Sequence, residues 1–336
     1  MSKISIVIPC LNEEKYIAQC VESIVSSDID IAKTEIIFVD GNSSDKTVEI
    51  LNTYVEKISS IKVLTNLKKY TPISMNLGIK EATGDYIFIL SAHAKYEKDY
   101  FRLLVKNIKE LKADCVGGVL ITDVKNKTKK SNSIKEILTH KFGVGNATFR
   151  TGSNEIKAVD TVAFGCYTKD AFKKFGLFDE LLVRNQDIEL NKRIINGGGK
   201  IFLIPEVECT YYARENFLAL AKNNYGNGKW NILTAYYTKT LSSLSLRHFI
   251  PLFFVLSLLL PLLFSLIEPR LIGIFFLSLS SYLALVIIIS LKLKNNTNTL
   301  RYLILSFLTL HFSYGIGSLI GILDVIKKKF KGKTNE

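Results

Sequence analysis

The sequence predicts an α/β domain followed by a helical membrane region. Short apolar runs at 4–9, 36–39, 61–64 and 85–90 alternate with segments of helical spacing. Strands buried on both faces of a parallel sheet have this continuous apolar character. Their alternation with helices predicts a right-handed, doubly wound sheet. The long uncharged stretches, which lie almost entirely after residue 248, predict the membrane region.

Each of the first three strands precedes a helical pattern. Apolar residues recur at helical spacing from Ile17 to Val25, and Asn12 is expected to cap that helix. The polar run 42–45 is typical of a turn and an N-cap before the helix that follows Lys46. Pro72 is expected to open the third helix near its first turn.

The middle of the chain has a different pattern. The runs 116–121 and 159–164 are expected to be strands, and the basic stretch 123–135 between them a solvated loop or hairpin. The glycine-rich segment 143–153 predicts a mobile loop over a site. A helical face then ends at Gly197.

The charge and the cysteines narrow the function classes. A formal charge of +13 indicates an anionic partner. Anionic lipid is favoured over nucleic acid, because the lysines cluster beside the membrane segments and in one loop, without a nucleic-acid recognition module. The five scattered cysteines favour reduced thiols in a cytosolic compartment over disulfides or zinc. Residues 1–9 are strand-like, which argues against a signal peptide.

Two carboxylates stand out by position. Asp40 ends a predicted strand at the edge where open α/β sheets bind ligands, and its oxygens suit a base or a ribose. Asp187 is expected in the first turn of a helix, where a carboxylate can point into a cleft. The purely structural interpretation of Asp40 is a residue in a turn, and that of Asp187 is an acid that stabilises the helix dipole.

Four motifs together resemble a family 2 glycosyltransferase of the GT-A type, which has a Rossmann-like, mostly parallel twisted sheet. The resemblance is to membrane-attached enzymes that build bacterial exopolysaccharides, including succinoglycan-type glucosyltransferases. It implies a nucleotide-sugar half at about 1–95, an acceptor half at about 96–210 and interfacial helices at about 215–245, within a domain over 1–235. The motifs are Val7-Ile-Pro-Cys-Leu-Asn-Glu-Glu, Val39-Asp-Gly-Asn-Ser-Ser-Asp-Lys-Thr, Ser91-Ala-His-Ala and Asn185-Gln-Asp-Ile-Glu-Leu.

The resemblance implies a set of donor-binding residues. Asp40 would recognise the uracil or ribose of a nucleotide-sugar, and the others would line the nucleotide pocket or the helix beside it. Helix packing is the alternative for the last two members of the set. The set is Pro9, Asn12, Glu13, Asp40, Asn76 and Gly78.

The resemblance also implies a divalent cation, Mn2+ or Mg2+, held by the donor diphosphate. The family usually carries Asp-x-Asp or Asp-x-His after the fourth strand, but Ser91 replaces the first acid here. His93 remains as the expected ligand, and manganese tolerates imidazole better than magnesium does. A hydrogen-bonded structural histidine is the alternative.

Asp187 matches the catalytic aspartate of the family and is expected to be the base. Gln186 replaces the preceding Glu, and Glu189 either fits the second acid or pairs with Arg193. One displacement with a single base inverts configuration and gives a β-linkage from an α-linked donor.

Three residues further along are expected near the acceptor or diphosphate. They are Arg214, Lys229 and Trp230. Processive synthases carry Gln-x-x-Arg-Trp in this region. Only Lys229-Trp230 resembles that motif here, so the sequence favours addition of one sugar per encounter. An interfacial amphipathic helix is the alternative.

The membrane region 246–326 holds three apolar segments and precedes a basic tail at 327–336. The first two form a hairpin, and the third contains His311 and several small residues that suggest close packing. Basic residues after the second segment favour a multi-pass protein of the cell (inner) membrane with a cytoplasmic catalytic domain. Three full crossings would place the basic tail outside, so either the third segment is re-entrant or interfacial, or the chain departs from the tendency of basic residues to stay inside. The segments are 249–267, 271–291 and 302–323.

The predicted function is transfer of a hexose from a nucleotide-sugar, UDP-linked, to a polyprenyl-linked saccharide in extracellular or capsular polysaccharide biosynthesis. One alternative is a polyprenyl-phosphate sugar synthase. Another, suggested by Ser91 and Gln186, is a catalytically degenerate membrane scaffold that binds nucleotide-sugars.

Overall fold

The computed structural model describes residues 3–240 and 244–333. The chain divides into two compact units: the first comprises Met1–Thr122 and Ala147–Tyr212, and the second Asp123–Asn146 and Ala213–Glu336. Parts of the predicted interfacial region (241–243) and of the basic tail (334–336) lie outside the described residues.

The first unit contains a mixed sheet of nine strands within the described part of the chain. The sheet order is β3-β2-β1-β4-β8-β6-β9-β5, and β7 pairs with β9. The strands are β1 Ile4–Cys10, β2 Thr34–Asp40, β3 Ile61–Thr65, β4 Tyr86–Ile89, β5 Ala94–Tyr96, β6 Cys115–Asp123, β7 Lys157–Ala158, β8 Cys166–Thr168 and β9 Ile201–Tyr212.

The helices flank this sheet or form the second unit. In chain order they are α1 Ile17–Val25, α2 Thr47–Val55, α3 Thr71–Glu81, α4 Tyr100–Glu110, α5 Lys129–Thr139, α6 Lys141–Val144, α7 Thr148–Thr151, α8 Lys169–Phe175, α9 Gln186–Asn196, α10 Phe217–Tyr237, α11 Ile250–Phe264, α12 Ile272–Leu293 and α13 Leu300–Lys333. Short 3-10 helices cover Ile31–Lys33, Leu246–His248 and Pro269–Leu271.

The four predicted strands of the first half are confirmed as the parallel part of the sheet, in the order β3-β2-β1-β4. Alternate residues of each strand enter two different cores. Ile6 and Phe38 pack in the core on one face, whereas Val7 and Val39 pack in the core on the other. Burial on both faces explains why these strands are apolar without alternation.

The prediction that Asn12 caps α1 is wrong. Asn12 has a left-handed backbone (φ 57°), and the helix begins only at Ile17. The amide oxygen of Asn12 instead accepts a hydrogen bond from the Ser44 backbone N–H at 2.8 Å. Asn12 therefore ties the loop after β1 to the loop after β2.

The run 159–164 is not a strand, contrary to the prediction. Phe164 has a left-handed backbone (φ 52°), and its carbonyl accepts a hydrogen bond from the Tyr100 hydroxyl at 2.7 Å. Val162 is only 2% exposed. The segment is apolar because it packs irregularly against the core, and strand pairing resumes only at β8.

In the second unit, the basic stretch expected to be a loop becomes helix α5 from Lys129 onwards. The Thr128 side chain accepts a hydrogen bond from the Ser131 N–H and caps the helix. Ile134 and Ile137 are fully buried. The sequence pattern missed this helix because its lysines obscure a narrow apolar face.

Two helical segments are long and apolar enough to cross a membrane among the described residues, 269–293 and 300–330. Only 6% of the most apolar stretch of the first is buried, against 44% of the second. Helix α11 has 15 residues with Pro261 inside, so at 1.5 Å per residue it is roughly 22 Å long, short of a typical bilayer core. Helix α13 continues without a break into the basic tail.

Small residues bring α13 close to α10, which confirms the predicted close packing of the third segment. A Cβ atom on Gly228 of α10 would lie 2.0 Å from the Tyr314 carbonyl oxygen, and one on Gly317 2.1 Å from that of Tyr225. His311 contacts polar atoms: its ring nitrogens lie 2.9 Å from the Tyr282 hydroxyl and 2.9 Å from the Phe142 carbonyl oxygen.

Candidate active site

A cavity of about 470 Å3 opens in the first unit at the carboxyl ends of β1 and β4. This is the edge at which open α/β sheets bind ligands. Its lining combines apolar walls with a few convergent polar groups, as ligand sites usually do. The polar and aromatic groups central to the site are Glu13, His93, Phe149, Arg150, Gln186, Asp187 and Tyr211.

Asp187 lies at the start of α9, where Asn185 adopts a left-handed backbone (φ 63°) that turns the chain into the helix. The residue is half-buried, and its carboxyl group is surrounded by protein atoms. This burial raises the pKa of Asp187, and the backbone N–H groups of Asp187 and Ile188, with the charge of Arg150, offset only part of that rise. A carboxylate with a raised pKa is a stronger base than a solvated one.

A buried network fixes the helix that carries Asp187. One turn further on, the Asn191 side chain accepts a hydrogen bond from the Tyr167 hydroxyl at 2.9 Å and donates one to the Thr161 hydroxyl at 3.0 Å. Thr161 belongs to the irregular segment before β8, and Tyr167 lines the cavity. The first turn of α9 is therefore held against the cavity floor.

His93 and Glu13 form a pair between the loops that follow β4 and β1. The Nδ1 atom of His93 lies 3.0 Å from Oε1 of Glu13. The imidazole also packs against Tyr16 and Tyr211, with ring centroids 6.2 and 5.4 Å away. A carboxylate on one ring nitrogen orients the imidazole and directs the other nitrogen elsewhere.

The side chains at this site do not form a complete set of ligands for a cation held by the protein alone. No group of three or more His, Cys, Asp or Glu side chains suited to a metal occurs among the described residues. Glu13 and His93 are the nearest approach, and these two side chains already bond each other. The prediction of His93 as a cation ligand stays a prediction.

Arg150, which the sequence patterns did not single out, enters the cavity from α7. Its guanidinium carbon lies 5.1 Å from the Tyr211 ring centroid and 5.5 Å from that of Phe149. Its Nη1 atom is buried without a hydrogen-bond partner in the described structure, as is Oε1 of Gln186. The available signal was the predicted loop over a site, in which Arg150 is the one charged residue of 143–153.

Asp40 and Asn12 lie outside the cavity lining. Asp40 is 3% exposed, and its carboxylate accepts hydrogen bonds from the backbone N–H and the hydroxyl of Ser43, at 3.0 and 2.5 Å. Pro9 and Glu13 do line the cavity. The Glu13 backbone N–H donates to the hydroxyl of Thr47, the first residue of α2, at 2.7 Å, so the start of α2 positions this part of the site.

Asn76, Gly78 and Glu189 also make structural contacts outside the cavity lining. The Asn76 amide bonds both the N–H and the carbonyl of Phe178, and a Cβ on Gly78 would lie 2.3 Å from Val7. Glu189 pairs with Arg193 at 2.6 Å, the alternative that the sequence allowed. Donor or acceptor contacts by these three residues stay predictions.

The predicted acceptor residues 214, 229 and 230 belong to the second unit. Arg214 lies in the connection between β9 and α10. On α10, the Lys229 ammonium pairs with Asp324 of α13 at 2.7 Å, and Trp230 stacks on Tyr237 at a centroid distance of 6.4 Å. Their contact with an acceptor is a prediction.

Comparison with known proteins agrees with this geometry. Residues 5–176 match the model of the family described as Glycosyl transferase family 2. A Methanococcus voltae protein is 31% identical over 239 residues, which cover 68% of this chain and 73% of that protein. Its name is dolichyl N-acetyl-alpha-D-glucosaminyl phosphate 3-beta-D-2,3-diacetamido-2,3-dideoxy-beta-D-glucuronosyltransferase.

A second relative is the succinoglycan biosynthesis protein ExoA of Rhizobium meliloti (strain 1021), 28% identical over 226 residues, 67% of each protein. Among solved structures, GalNAc-T7 with UDP, GalNAc and Mn2+ aligns with a TM-score of 0.50 at 18% identity, over 64% of this chain and 44% of that one. This likeness supports the GT-A fold. The chain belongs to glycosyl transferase family 2 and is a glycosyltransferase.

Proposed function

We propose that this enzyme transfers a hexose, with inversion, from a nucleotide-sugar to a polyprenyl-linked saccharide in extracellular or capsular polysaccharide biosynthesis. The donor is UDP-linked, and Asp187 is the base. The observation that carries the proposal is the desolvated carboxyl group of Asp187, with its raised pKa, in the cavity at the carboxyl edge of the sheet. Perturbed carboxylates in clefts are typical of catalytic groups.

In the proposed reaction, an acceptor hydroxyl attacks the anomeric carbon of the donor. Asp187 takes the hydroxyl proton as the new carbon–oxygen bond forms. The bond from the anomeric carbon to the phosphate oxygen breaks, and its electron pair leaves with the nucleoside diphosphate. A single in-line displacement inverts the anomeric centre, so that an α-linked donor gives a β-linked product. A β-linkage is also what the name of the Methanococcus relative states for that protein.

A divalent cation bound with the donor would neutralise charge on its phosphates. GalNAc-T7, a structure of similar fold, was crystallised with Mn2+. Because the described residues do not form a complete protein site, we retain His93 as a candidate ligand only for a cation that arrives with the diphosphate.

The membrane helices suit a lipid-linked acceptor. The Methanococcus relative is named for action on a dolichyl-linked sugar phosphate, and ExoA for succinoglycan synthesis. A polyprenyl-linked saccharide stays in the bilayer, so an enzyme attached to the same membrane meets it without releasing it. We place the enzyme in the inner membrane with its sheet domain in the cytoplasm, where nucleotide-sugars are made. Lys292, Lys294 and Arg301, between the two long apolar segments, favour a cytoplasmic loop.

The test is transfer by full-length protein in detergent, with a panel of nucleotide-sugars and a short-chain polyprenyl-diphosphate saccharide, with and without manganese. Asp187→Asn should lower turnover by about 10^2-fold or more while donor binding stays near wild type. Retained turnover would remove Asp187 as the base. Transfer to polyprenyl phosphate alone would favour the lipid-phosphate sugar synthase. If His93→Ala leaves both turnover and the manganese requirement unchanged, His93 is not a ligand.

A further inference from the structure

Arg150 presents an unusual charge to the cavity. Its Nη1 atom is buried yet bonds no acceptor in the described structure, although the residue lies beside an acidic group. Buried cations are normally paired, because an unpaired donor in a low-dielectric site is costly. The guanidinium is held instead by the faces of Tyr211 and Phe149, at 5.1 and 5.5 Å. Aromatic faces stabilise a cation without using its N–H groups.

The position of Arg150 relates it to both ends of the proposed reaction. The Tyr211 ring that it covers also packs against His93, at 5.4 Å between centroids. The charge of Arg150 also favours the ionised form of Asp187 and so lowers its pKa. The guanidinium therefore shares the Tyr211 ring with His93 and is close enough to Asp187 to interact with its charge. An anion bound by Arg150 would lie in the same cavity as the proposed base.

We propose that Arg150 binds the diphosphate of the donor and neutralises the charge that develops on the β-phosphate as the glycosidic bond breaks. This assignment rests on the proposed function. A planar guanidinium donates two parallel hydrogen bonds to phosphate oxygens. A fixed cation aimed at the leaving group stabilises the negative charge that develops there.

The other basic residue of the lining differs from Arg150. Lys69 lies in the connection between β3 and α3 and is exposed, so solvent screens its charge. Arg150 is carried by the four-residue helix α7, which is followed by Gly152 at its C-cap. That glycine has a left-handed backbone (φ 79°), and no other atom lies within 4 Å of the position that a Cβ would take there. The neutralising role therefore belongs to Arg150.

Binding of UDP, UMP and uridine to full-length protein, measured by calorimetry with and without manganese, tests the assignment without requiring transfer. Wild type should bind UDP more tightly than UMP. Arg150→Gln should weaken UDP binding by about 10- to 100-fold and UMP binding by less than about twofold, because a charge-assisted bond to the β-phosphate is lost. Arg150→Lys should recover part of the difference. Lys157→Gln, which removes an exposed charge of the same unit, should bind like wild type.

Unchanged UDP affinity in Arg150→Gln, or an equal loss for UDP and UMP, would overturn the assignment. If Arg150→Gln changes only the KM of a donor with a carboxylated sugar, Arg150 binds the sugar rather than the diphosphate, which would also overturn the assignment. UDP binding that depends on Arg150 but leads to no transfer would sustain the inference and refute the proposed function. If wild type transfers the sugar but Arg150→Gln binds UDP as wild type does, the proposed function would be sustained and the inference refuted. If wild type binds neither UDP nor UMP, both fail.

Discussion

At the scale of single residues, the site brings the buried carboxyl group of Asp187 near the half-buried side chain of Arg150, whose Nη1 atom bonds no acceptor in the described structure. Asp187 and Arg150 interact through space, and each keeps capacity for a ligand. A direct ion pair would have lowered the basicity of the carboxylate and occupied the guanidinium. The separation costs stability, which is common where a site is organised for chemistry rather than for the folded state alone.

The raised pKa of Asp187 predicts a specific dependence of stability on pH. The unfolded chain releases this proton near the ordinary value of 3.8, whereas the folded protein releases it at higher pH. Across that window the folded state holds more protons, so the stability falls as the pH rises. Asp187→Asn removes this penalty. Its Tm should match wild type near pH 3.5 and exceed it increasingly towards neutral pH, in thermal melts over that range.

Asp170→Asn is the matched control for the melts. Asp170 is an exposed acid on α8 whose pKa is lowered by Lys173, so the Tm should change little and in the opposite direction. If Asp187→Asn is instead less stable than wild type at neutral pH, the charged carboxylate supports the fold and its burial is not a catalytic cost.

The family resemblance assigned Asp187, His93 and Glu13 to the site, and the structure shows that all three line one cavity. Arg150 could not be predicted in the same way. It lies in a glycine-rich segment without periodicity, and its burial depends on Tyr211, which lies 61 positions later in the chain. The internal hydrogen bonds of Asp40 and Asn76 likewise depend on loop conformations that composition does not reveal.

At the scale of elements, Glu35 joins three segments at the end of the parallel sheet distant from the cavity. Its carboxylate accepts hydrogen bonds from the Ser5 hydroxyl of β1 at 2.6 Å and from the N–H and hydroxyl of Thr83 at 2.8 and 2.7 Å. Burial alone would raise the pKa of Glu35, but these bonds and the nearby charge of Lys3 lower it to about 2. The ionised carboxylate therefore stabilises the β1–β2–β4 arrangement.

Glu35→Gln should weaken this arrangement above the ordinary pKa of the residue, 4.5. The stabilisation is present above 4.5 and is lost as the pH falls towards 2, so the gap between variant and wild type should close in acid. We expect about 1 kcal/mol at neutral pH, since the carboxylate is partly hydrated. Amide hydrogen exchange of β1 and β2 measures it. Glu81→Gln, which breaks an exposed pair with Lys62, should leave exchange unchanged; equal protection in both variants would contradict the prediction.

Prediction of the elements succeeded for continuous apolar strands in the sheet and failed for an apolar segment outside the sheet and for a polar helix. The four parallel strands were recognised because two cores bury both of their faces. The run 159–164 has the same apolar character, but the left-handed Phe164 removes it from the sheet. Helix α5 was missed because its lysines and its buried serines, Ser131 and Ser133, together resemble loop composition and obscure a narrow apolar face.

At the scale of the whole molecule, membrane segments were recognisable from hydropathy, but their partners were not. Both long apolar segments satisfy the length of a bilayer span. The larger buried share of α13 arises from α10 and α11, and α10 is too polar to be recognised as its partner from sequence. The apolar residues of a helix predict burial in lipid or in protein equally well, so only the packed structure separates the two.

The contact of α10 with α13 gives the last prediction. Gly228 has no room for a side chain, because a Cβ would lie 2.0 Å from the Tyr314 carbonyl oxygen, a backbone atom that cannot rotate away. Gly228→Ala should therefore force the helices apart and destabilise the second unit by roughly 1–3 kcal/mol, as overpacking does. Gly273→Ala is the matched control, since nothing lies within 4 Å of its Cβ and alanine has a higher helix propensity than glycine.

Thermal melts by circular dichroism in detergent should show a lower midpoint for Gly228→Ala and an equal or higher one for Gly273→Ala. Equal midpoints for Gly228→Ala and wild type would mean that the helices do not pack this closely in solution.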